Sequence, residues 1–159
     1  MIYKLFLDCD GVLADFDRHF EEMTGHAPRS YEESHGTGPF WKIISKAEGG
    51  FFNQLKKMPD ADTLVEAVRH TNPTILTGVP NGAWSIQEKL TWRLNNYPSL
   101  TMVCCASKDK KLAKDPNRIN VLVDDWTKYR SEWEENGDIF VHHTSAEESI
   151  AKLINIGVI

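Results

Sequence analysis

Short apolar runs alternate with amphipathic stretches along most of this chain, and this alternation constrains the fold more than any other feature of the sequence. The runs read IYKLFLD, TILTG, LTMVCCA, INVLVDD and DIFVHH. They are apolar throughout rather than at every second position, which is typical of strands covered on both faces. Such strands joined by helices predict an α/β protein with a Rossmann-like parallel sheet and helices on both faces.

The stretches between the runs carry helix signals. Residues 15–24 place apolar side chains at helical spacing, and a second helix is predicted to open at Pro59 and Asp60. We predict that Asn81 caps the helix after TILTG. The core-facing stripe predicted for that helix consists of Ile86, Leu90 and Leu94.

The segment after the first strand is expected to form a separate small unit. Residues 25–38 are rich in Gly, Pro, Ser and His and resist assignment, and short helices broken at a glycine pair follow them. We therefore predict a Rossmann-like core of residues 1–14 and 59–159, with a small helical cap of residues 15–58 inserted after the first strand.

Composition narrows the class of protein. The 159 residues suffice for one domain with its own core, and the net charge of −5 argues against a nucleic-acid partner. Three cysteines without a CxxC pair indicate a reducing compartment. Because no run approaches the ~20 apolar residues of a membrane helix, we expect a cytoplasmic protein with no membrane partner. The sequence is compatible with a homodimer.

Polar side chains follow four of the runs, where parallel strands present their carboxyl ends. They are, run by run, Asp8 with Asp10, Thr77 with Gly78, Ser107 with a lysine cluster, and Asp124 with Asp125. Ligands bind at this edge of open parallel sheets. We therefore expect these groups to meet in one site.

The acids in this set favour one kind of chemistry. Carboxylates are hard oxygen ligands that suit Mg²⁺, which keeps waters and a substrate phosphate in its shell. Beside such an ion, one carboxylate can attack phosphorus to give an aspartyl-phosphate, while a second protonates the departing oxygen. The remaining phosphate oxygens would bind the Thr77 hydroxyl, a lysine, and the backbone amides near Gly11 and Gly78. Neighbouring acids raise the pKa of Asp10 and a metal lowers it, and the sequence leaves that balance open.

The set DCDGVLADF, ILTG, a lysine and VLVDD, in that order, resembles the four motifs of the haloacid dehalogenase-like phosphatase superfamily. Within it, the chain is most similar to the 5′(3′)-deoxyribonucleotidases, through DGVLADF, the cap-like stretch FFNQLKKMPDADTLVEAV and CASKDK. The resemblance implies a Mg²⁺-dependent hydrolysis of (deoxy)nucleoside monophosphates to nucleoside and phosphate.

The resemblance also implies roles for individual residues. Asp8 would be the nucleophile and a metal ligand. Asp10 would be the acid/base and give its backbone carbonyl to the metal. Thr77 would bind the phosphate. Asp124 and Asp125 would complete the metal site, with Asp125 favoured as the direct ligand.

The resemblance assigns Lys110 to neutralise the nucleophile and the phosphate. Three further lysines are alternatives for that role, namely Lys108, Lys111 and Lys114. The second motif departs from the family, where it often reads Thr-Ser-Pro. Here Gly78 and Val79 stand between Thr77 and Pro80, so one side-chain donor is missing.

The aromatic residues of the predicted cap are candidates for the substrate pocket. We predict that Phe16, Trp41 and Phe52 line it, the competing interpretation being that they form only the core of the cap. Two other functions stay open. One is the same chemistry on another small phosphate ester such as a phosphosugar, and the other is a non-catalytic phosphate-binding protein of this fold.

Overall fold

Five parallel strands form one sheet in the computed structural model, which describes residues 2–159. In chain order the strands are β1 (Tyr3–Leu7), β2 (Thr74–Gly78), β3 (Thr101–Cys105), β4 (Ile119–Asp124) and β5 (Ile139–His142). Their order across the sheet is β3-β2-β1-β4-β5, and every neighbouring pair is parallel. The predicted α/β class with a Rossmann-like parallel sheet is confirmed.

Seven α-helices are found in residues 2–159. They are α1 (Phe16–Thr24), α2 (Pro28–His35), α3 (Thr37–Ser45), α4 (Ala61–Val68), α5 (Ala83–Asn96), α6 (Arg130–Glu134) and α7 (Ala146–Ile156). A 3₁₀ segment, Ser107–Ala113, follows β3. No helix within these residues is both long and apolar enough to cross a membrane.

The two faces of the sheet carry cores of unequal size, because successive side chains of a strand point to opposite faces. Leu5 and Leu7 belong to the large core, which α4, α5 and α7 complete. Phe6 belongs to the small core, where it meets Trp133 of α6 edge to face at 5.6 Å between ring centroids. Helices therefore cover both faces, as predicted, although the five-residue α6 and the 3₁₀ segment form a thin cover on the second.

The predicted cap, residues 15–58, contains α1, α2 and α3. The sequence left residues 25–38 unassigned, and the structure forms α2 there. None of the side chains of α2 is buried, so the sequence had no apolar periodicity to reveal this helix. Aromatic rings fill the interior of the segment and join the large core. They are Phe20, Phe40, Phe51 and Phe52, with the half-buried Phe16 packed against them.

The prediction for the face of α5 was wrong. Ile86, Leu90 and Leu94 are 38%, 40% and 59% exposed. The buried residues of this helix are Ser85, Lys89 and Trp92. The indole N–H of Trp92 donates to the Leu55 carbonyl oxygen at 2.8 Å, so the large ring enters the core with its polar atom satisfied. The Asn81 cap was also wrong, because α5 begins after Gly82 without a side-chain cap.

This orientation of α5 predicts opposite effects for two truncations in the same helix. Trp92→Ala should lower the free energy of unfolding by about 3–5 kcal/mol, because it removes a buried ring and leaves the Leu55 carbonyl unpaired. Leu94→Ala, the matched control, should change it by less than about 0.5 kcal/mol. Urea denaturation measures both values. A larger loss in Leu94→Ala than in Trp92→Ala would contradict the observed orientation.

Candidate active site

The carboxyl ends of β1 and β4 bring two acids together in the middle of the sheet. The Asp8 amide donates to the Val123 carbonyl oxygen at 2.9 Å, so the pairing of these strands continues one residue past Leu7. Asp8 therefore lies beside Asp124, and both are buried, with 7% and 5% of their surfaces exposed. The order of strands reverses at β1, which is where a crevice for a ligand forms in such sheets.

A tight turn after β1 leaves room for a third acid, Asp125, to approach this pair. The amides of Val12, Leu13 and Ala14 all donate to the Cys9 carbonyl oxygen, at 3.2, 2.8 and 2.9 Å. Gly11 sits in this turn with φ of 81°, a conformation that glycine adopts without strain. A Cβ atom at Gly11 would also overlap the Asp125 carboxylate, so the glycine lets that carboxylate turn inward from the exposed edge of the site.

Lys110 links two of the acids. Its Nζ donates to Asp8 Oδ1 at 2.9 Å and to Asp124 Oδ2 at 2.8 Å, and the lysine is itself buried. Of the three alternative lysines, Lys108 and Lys111 are exposed, and Lys114 is 2.9 Å from Asp138 Oδ2. The structure therefore places Lys110, and none of the alternatives, against the acids.

Burial and charge shift the pKa values of these groups in different directions. Burial raises the pKa of Asp8, but Lys110 outweighs it and holds the pKa below its ordinary value. For Asp124, burial and the Asp8 charge raise the pKa to about 7 despite Lys110. For Asp125, burial of the inward-turned carboxylate and the charges of Asp8 and Asp124 raise it to about 8. Negative charge is therefore in excess at this point.

The three clustered carboxylates are suited to bind a divalent cation that prefers oxygen ligands. Carboxylate oxygens of Asp8, Asp124 and Asp125 lie within 4.8 Å of one another. Within residues 2–159, Lys110 is the one cation in an ion pair with any of the three. Both oxygens of Asp124 already accept hydrogen bonds, from Lys110 and from the Trp126 amide at 2.9 Å. Three carboxylates with one ammonium among them therefore offer oxygen ligands of the kind that Mg²⁺ prefers.

A buried lysine that the sequence did not reveal holds the fourth acid. Lys89 of α5 is 1% exposed, and its Nζ donates to Asp10 Oδ2 at 2.7 Å. The same ammonium lies 4.5 Å from the centre of the Phe52 ring. Asp10 Oδ1 is buried and has no hydrogen-bond partner in the described chain. Burial raises the pKa of Asp10, and Lys89 offsets part of this rise.

The substrate-binding residues predicted from sequence fall into three positions. A cavity of about 270 Å³ is lined by the four acids and Lys110, together with Gly78, Phe16 and Trp41. Phe52 lines an adjoining cavity of about 680 Å³, which shares Asp10, Trp41 and Gly78 with the first. Thr77 is 1% exposed and lines neither cavity, and its hydroxyl makes only a long contact of 3.4 Å with the Gly78 carbonyl oxygen.

Further residues line these cavities, among them a serine and two tryptophans. Ser107 and Trp126 border both, and Trp84 borders the larger one. Ser107 had a sequence signal, since it follows the third apolar run. Trp84 had none, because a tryptophan in the first turn of a helix is as typical of packing as of binding.

Comparisons with known proteins do not extend these observations. No protein-family model matches the chain, and none of the curated proteins matches it.

The raised pKa values predict how metal-free protein responds to pH. Asp124 and Asp125 have folded pKa values of about 7 and 8 against an ordinary 3.8, so above pH 4 the unfolded state binds fewer protons than the folded state. Rising pH between about 4 and 8 therefore lowers the contribution of these groups to stability. Because Mg²⁺ binds the deprotonated acids, it should raise the Tm more at pH 8 than at pH 5.

Thermal denaturation with Mg²⁺ and with a chelator measures this effect. Asp125→Asn is the control, since it removes a carboxylate that has no ion pair in residues 2–159. This variant should show a smaller Mg²⁺ response and a weaker decline of Tm between these pH values. An equal rise of the Tm with Mg²⁺ at pH 5 and pH 8 in the unmodified protein would contradict the raised pKa values of Asp124 and Asp125.

The Lys89–Asp10 pair predicts a strong energetic coupling. Lys89→Met and Asp10→Asn should each destabilise the fold by about 3 kcal/mol, because the first leaves the half-buried Asp10 and the second the buried Lys89 without its partner. The double variant should cost less than the sum, with a coupling of about 1–3 kcal/mol measured by urea denaturation. The same double-mutant cycle on the exposed pair Arg130 and Glu134, 2.8 Å apart, should give a coupling free energy of less than about 0.5 kcal/mol. Equal couplings for the two pairs would refute the prediction.

Proposed function

We propose that this protein is a Mg²⁺-dependent phosphomonoesterase that hydrolyses nucleoside monophosphates through an aspartyl-phosphate on Asp8. One observation carries the proposal. A buried carboxylate with a lowered pKa, Asp8, borders a cavity together with a lysine that contacts it and a second acid, Asp10, whose pKa is raised. Two acids with opposite pKa shifts in one cavity are suited to the roles of nucleophile and proton donor.

Asp8 is suited to attack. Its lowered pKa keeps the carboxylate ionised at neutral pH, and it lies at the end of a strand that the sheet fixes on both sides. In the first step an Asp8 oxygen forms a bond to phosphorus as the bond from phosphorus to the ester oxygen breaks. Lys110, which contacts Asp8, provides positive charge next to the phosphoryl oxygens.

Asp10 is suited to move the proton. Its pKa lies above the ordinary aspartate value, which brings the carboxyl group closer to the protonated form that gives a proton to the departing nucleoside oxygen. Asp10 then takes a proton from the water that attacks the aspartyl-phosphate, so that phosphate leaves and Asp8 is regenerated. Lys89 fixes the orientation of Asp10 through the 2.7 Å hydrogen bond to Oδ2.

The metal would be held by Asp8, Asp124 and Asp125, with the Asp10 backbone carbonyl as a further ligand. When bound, Mg²⁺ supplies positive charge that polarises the phosphoryl group. Asp124 also positions Lys110. It shares Lys110 with Asp8 and so fixes the ammonium between the two carboxylates.

The adjoining cavity favours a nucleotide over a phosphosugar. It has a volume of about 680 Å³, and its walls include Trp41, Trp84 and Phe52. Phe52 is itself buried and stacks behind Trp84 at 5.9 Å with an angle of 23° between their planes, so Trp84 and Trp41 are the half-exposed rings. Flat apolar rings suit a nucleobase, whereas a sugar phosphate would leave this surface unused.

Replacement of the nucleophile tests the proposed reaction. Asp8→Asn keeps the shape of the side chain and removes its charge, so turnover of a panel of nucleoside monophosphates with Mg²⁺ should fall at least about 10³-fold. Asp15→Asn is the control, because Asp15 caps α1 outside the cavities and asparagine also caps helices. This control should keep near-normal turnover. Unchanged turnover in Asp8→Asn would rule out the covalent route, and no turnover in the unmodified protein would favour a phosphate-binding protein.

A second experiment tests the choice of substrate. Trp84→Ala should raise KM for nucleoside monophosphates about tenfold through lost stacking, with little change for ribose 5-phosphate, which has no base. The steady-state kinetics of both substrates in both proteins provide the comparison. Equal changes for the two substrates would favour the phosphosugar alternative.

A further inference from the structure

Ser107 and Gly78 meet where two neighbouring strands end. Gly78 pairs with Cys105 in the register of β2 and β3, and the Val79 amide donates to the Cys105 carbonyl oxygen at 2.9 Å. Ser107 lies two residues beyond β3, beside this pair. A Cβ atom on Gly78 would overlap the Ser107 hydroxyl. Ser107 therefore occupies the space that a side chain at position 78 would fill.

Ser107 lines the same cavity as Lys110. The two residues are three apart in a 3₁₀ segment, where side chains with this spacing lie on the same side. Both line the cavity of about 270 Å³ that Asp8 also borders. Among residues 2–159 the hydroxyl has no hydrogen-bond partner, although Lys110 has two. A hydroxyl without a partner in the described residues and a buried ammonium therefore border the cavity that the proposed nucleophile also borders.

We propose that the Ser107 hydroxyl donates a hydrogen bond to the phosphate group of the substrate and that Gly78 is required to leave it room. This inference rests on the proposed function, since it names a further phosphate-binding residue of that site. A hydrogen bond from a hydroxyl to an anion is stronger than one between neutral groups. Thr77 is buried and does not line this cavity, so it contributes no competing hydroxyl there.

A reciprocal exchange of the two residues tests the proposal. Inorganic phosphate is titrated calorimetrically, with Mg²⁺ present, into the unmodified protein and the variants Ser107→Gly, Gly78→Ser and Gly78→Ser/Ser107→Gly. Ser107→Gly should weaken phosphate binding about tenfold, the loss expected for one hydrogen bond to a charged group. Gly78→Ser should weaken it as well, because its side chain displaces the Ser107 hydroxyl. The double variant should recover most of the affinity, since it returns one hydroxyl to the same space.

The exchange distinguishes phosphate binding from a structural role of Ser107. Recovery in the double variant supports the proposal, whereas unchanged binding in Ser107→Gly, or a double variant no better than Ser107→Gly, overturns it. Ser131→Ala, an exposed serine on α6, is the control and should bind phosphate normally. If the unmodified protein turns over monophosphates while Ser107→Gly binds phosphate normally, only this inference fails. If the unmodified protein neither binds phosphate nor hydrolyses esters, the proposed function fails as well.

Discussion

Concentrated negative charge at the carboxyl ends of β1 and β4 is the constraint on which the rest of the structure depends. Buried carboxylates are costly unless they are paired, and two of them, Asp8 and Asp124, share one point with the more exposed Asp125. Lys110 compensates Asp8 and Asp124, and Lys89 compensates Asp10 on the other side of the turn. Asp125 remains without an ion pair in residues 2–159, and burial together with the charges of Asp8 and Asp124 raises its pKa.

The topology explains how the two lysines reach the acids. Lys89 comes from the helix between β2 and β3, and Lys110 from the segment between β3 and β4. Each connection therefore delivers one ammonium to the central strand β1, so the charge balance of the site depends on the whole sheet. The inward face of α5 follows from this arrangement. Lys89 points at Asp10, and Ile86, Leu90 and Leu94 lie on the partly exposed side of that helix.

The sequence predicted the parts whose signals are local. Apolar runs predicted the strands, and their polar ends predicted where Asp8, Asp10, Asp124 and Asp125 lie. Only the resemblance assigns the role to Lys110, and the sequence leaves three neighbouring lysines as alternatives. The structure distinguishes them by contact, because two acids from different strands converge on Lys110 alone of the four.

The parts that sequence reasoning missed depend on contacts between distant residues. Lys89 pairs with an acid 79 positions away, and no periodicity indicates such a partner. In α5 the aliphatic spacing predicted the wrong face, because a buried ion pair and a large aromatic ring determined the orientation instead. Ser107 was noted only as a polar residue after a strand. Its relation to Gly78 requires the register of β2 and β3.

The location of a divalent cation tests the central claim most directly. Mn²⁺, which takes the same oxygen ligands as Mg²⁺, can be soaked into crystals of the protein and located by its anomalous scattering. The account predicts one strong peak between the carboxylates of Asp8, Asp124 and Asp125, at roughly 2.0–2.3 Å from their oxygens. A peak elsewhere, or none at this position, would contradict it.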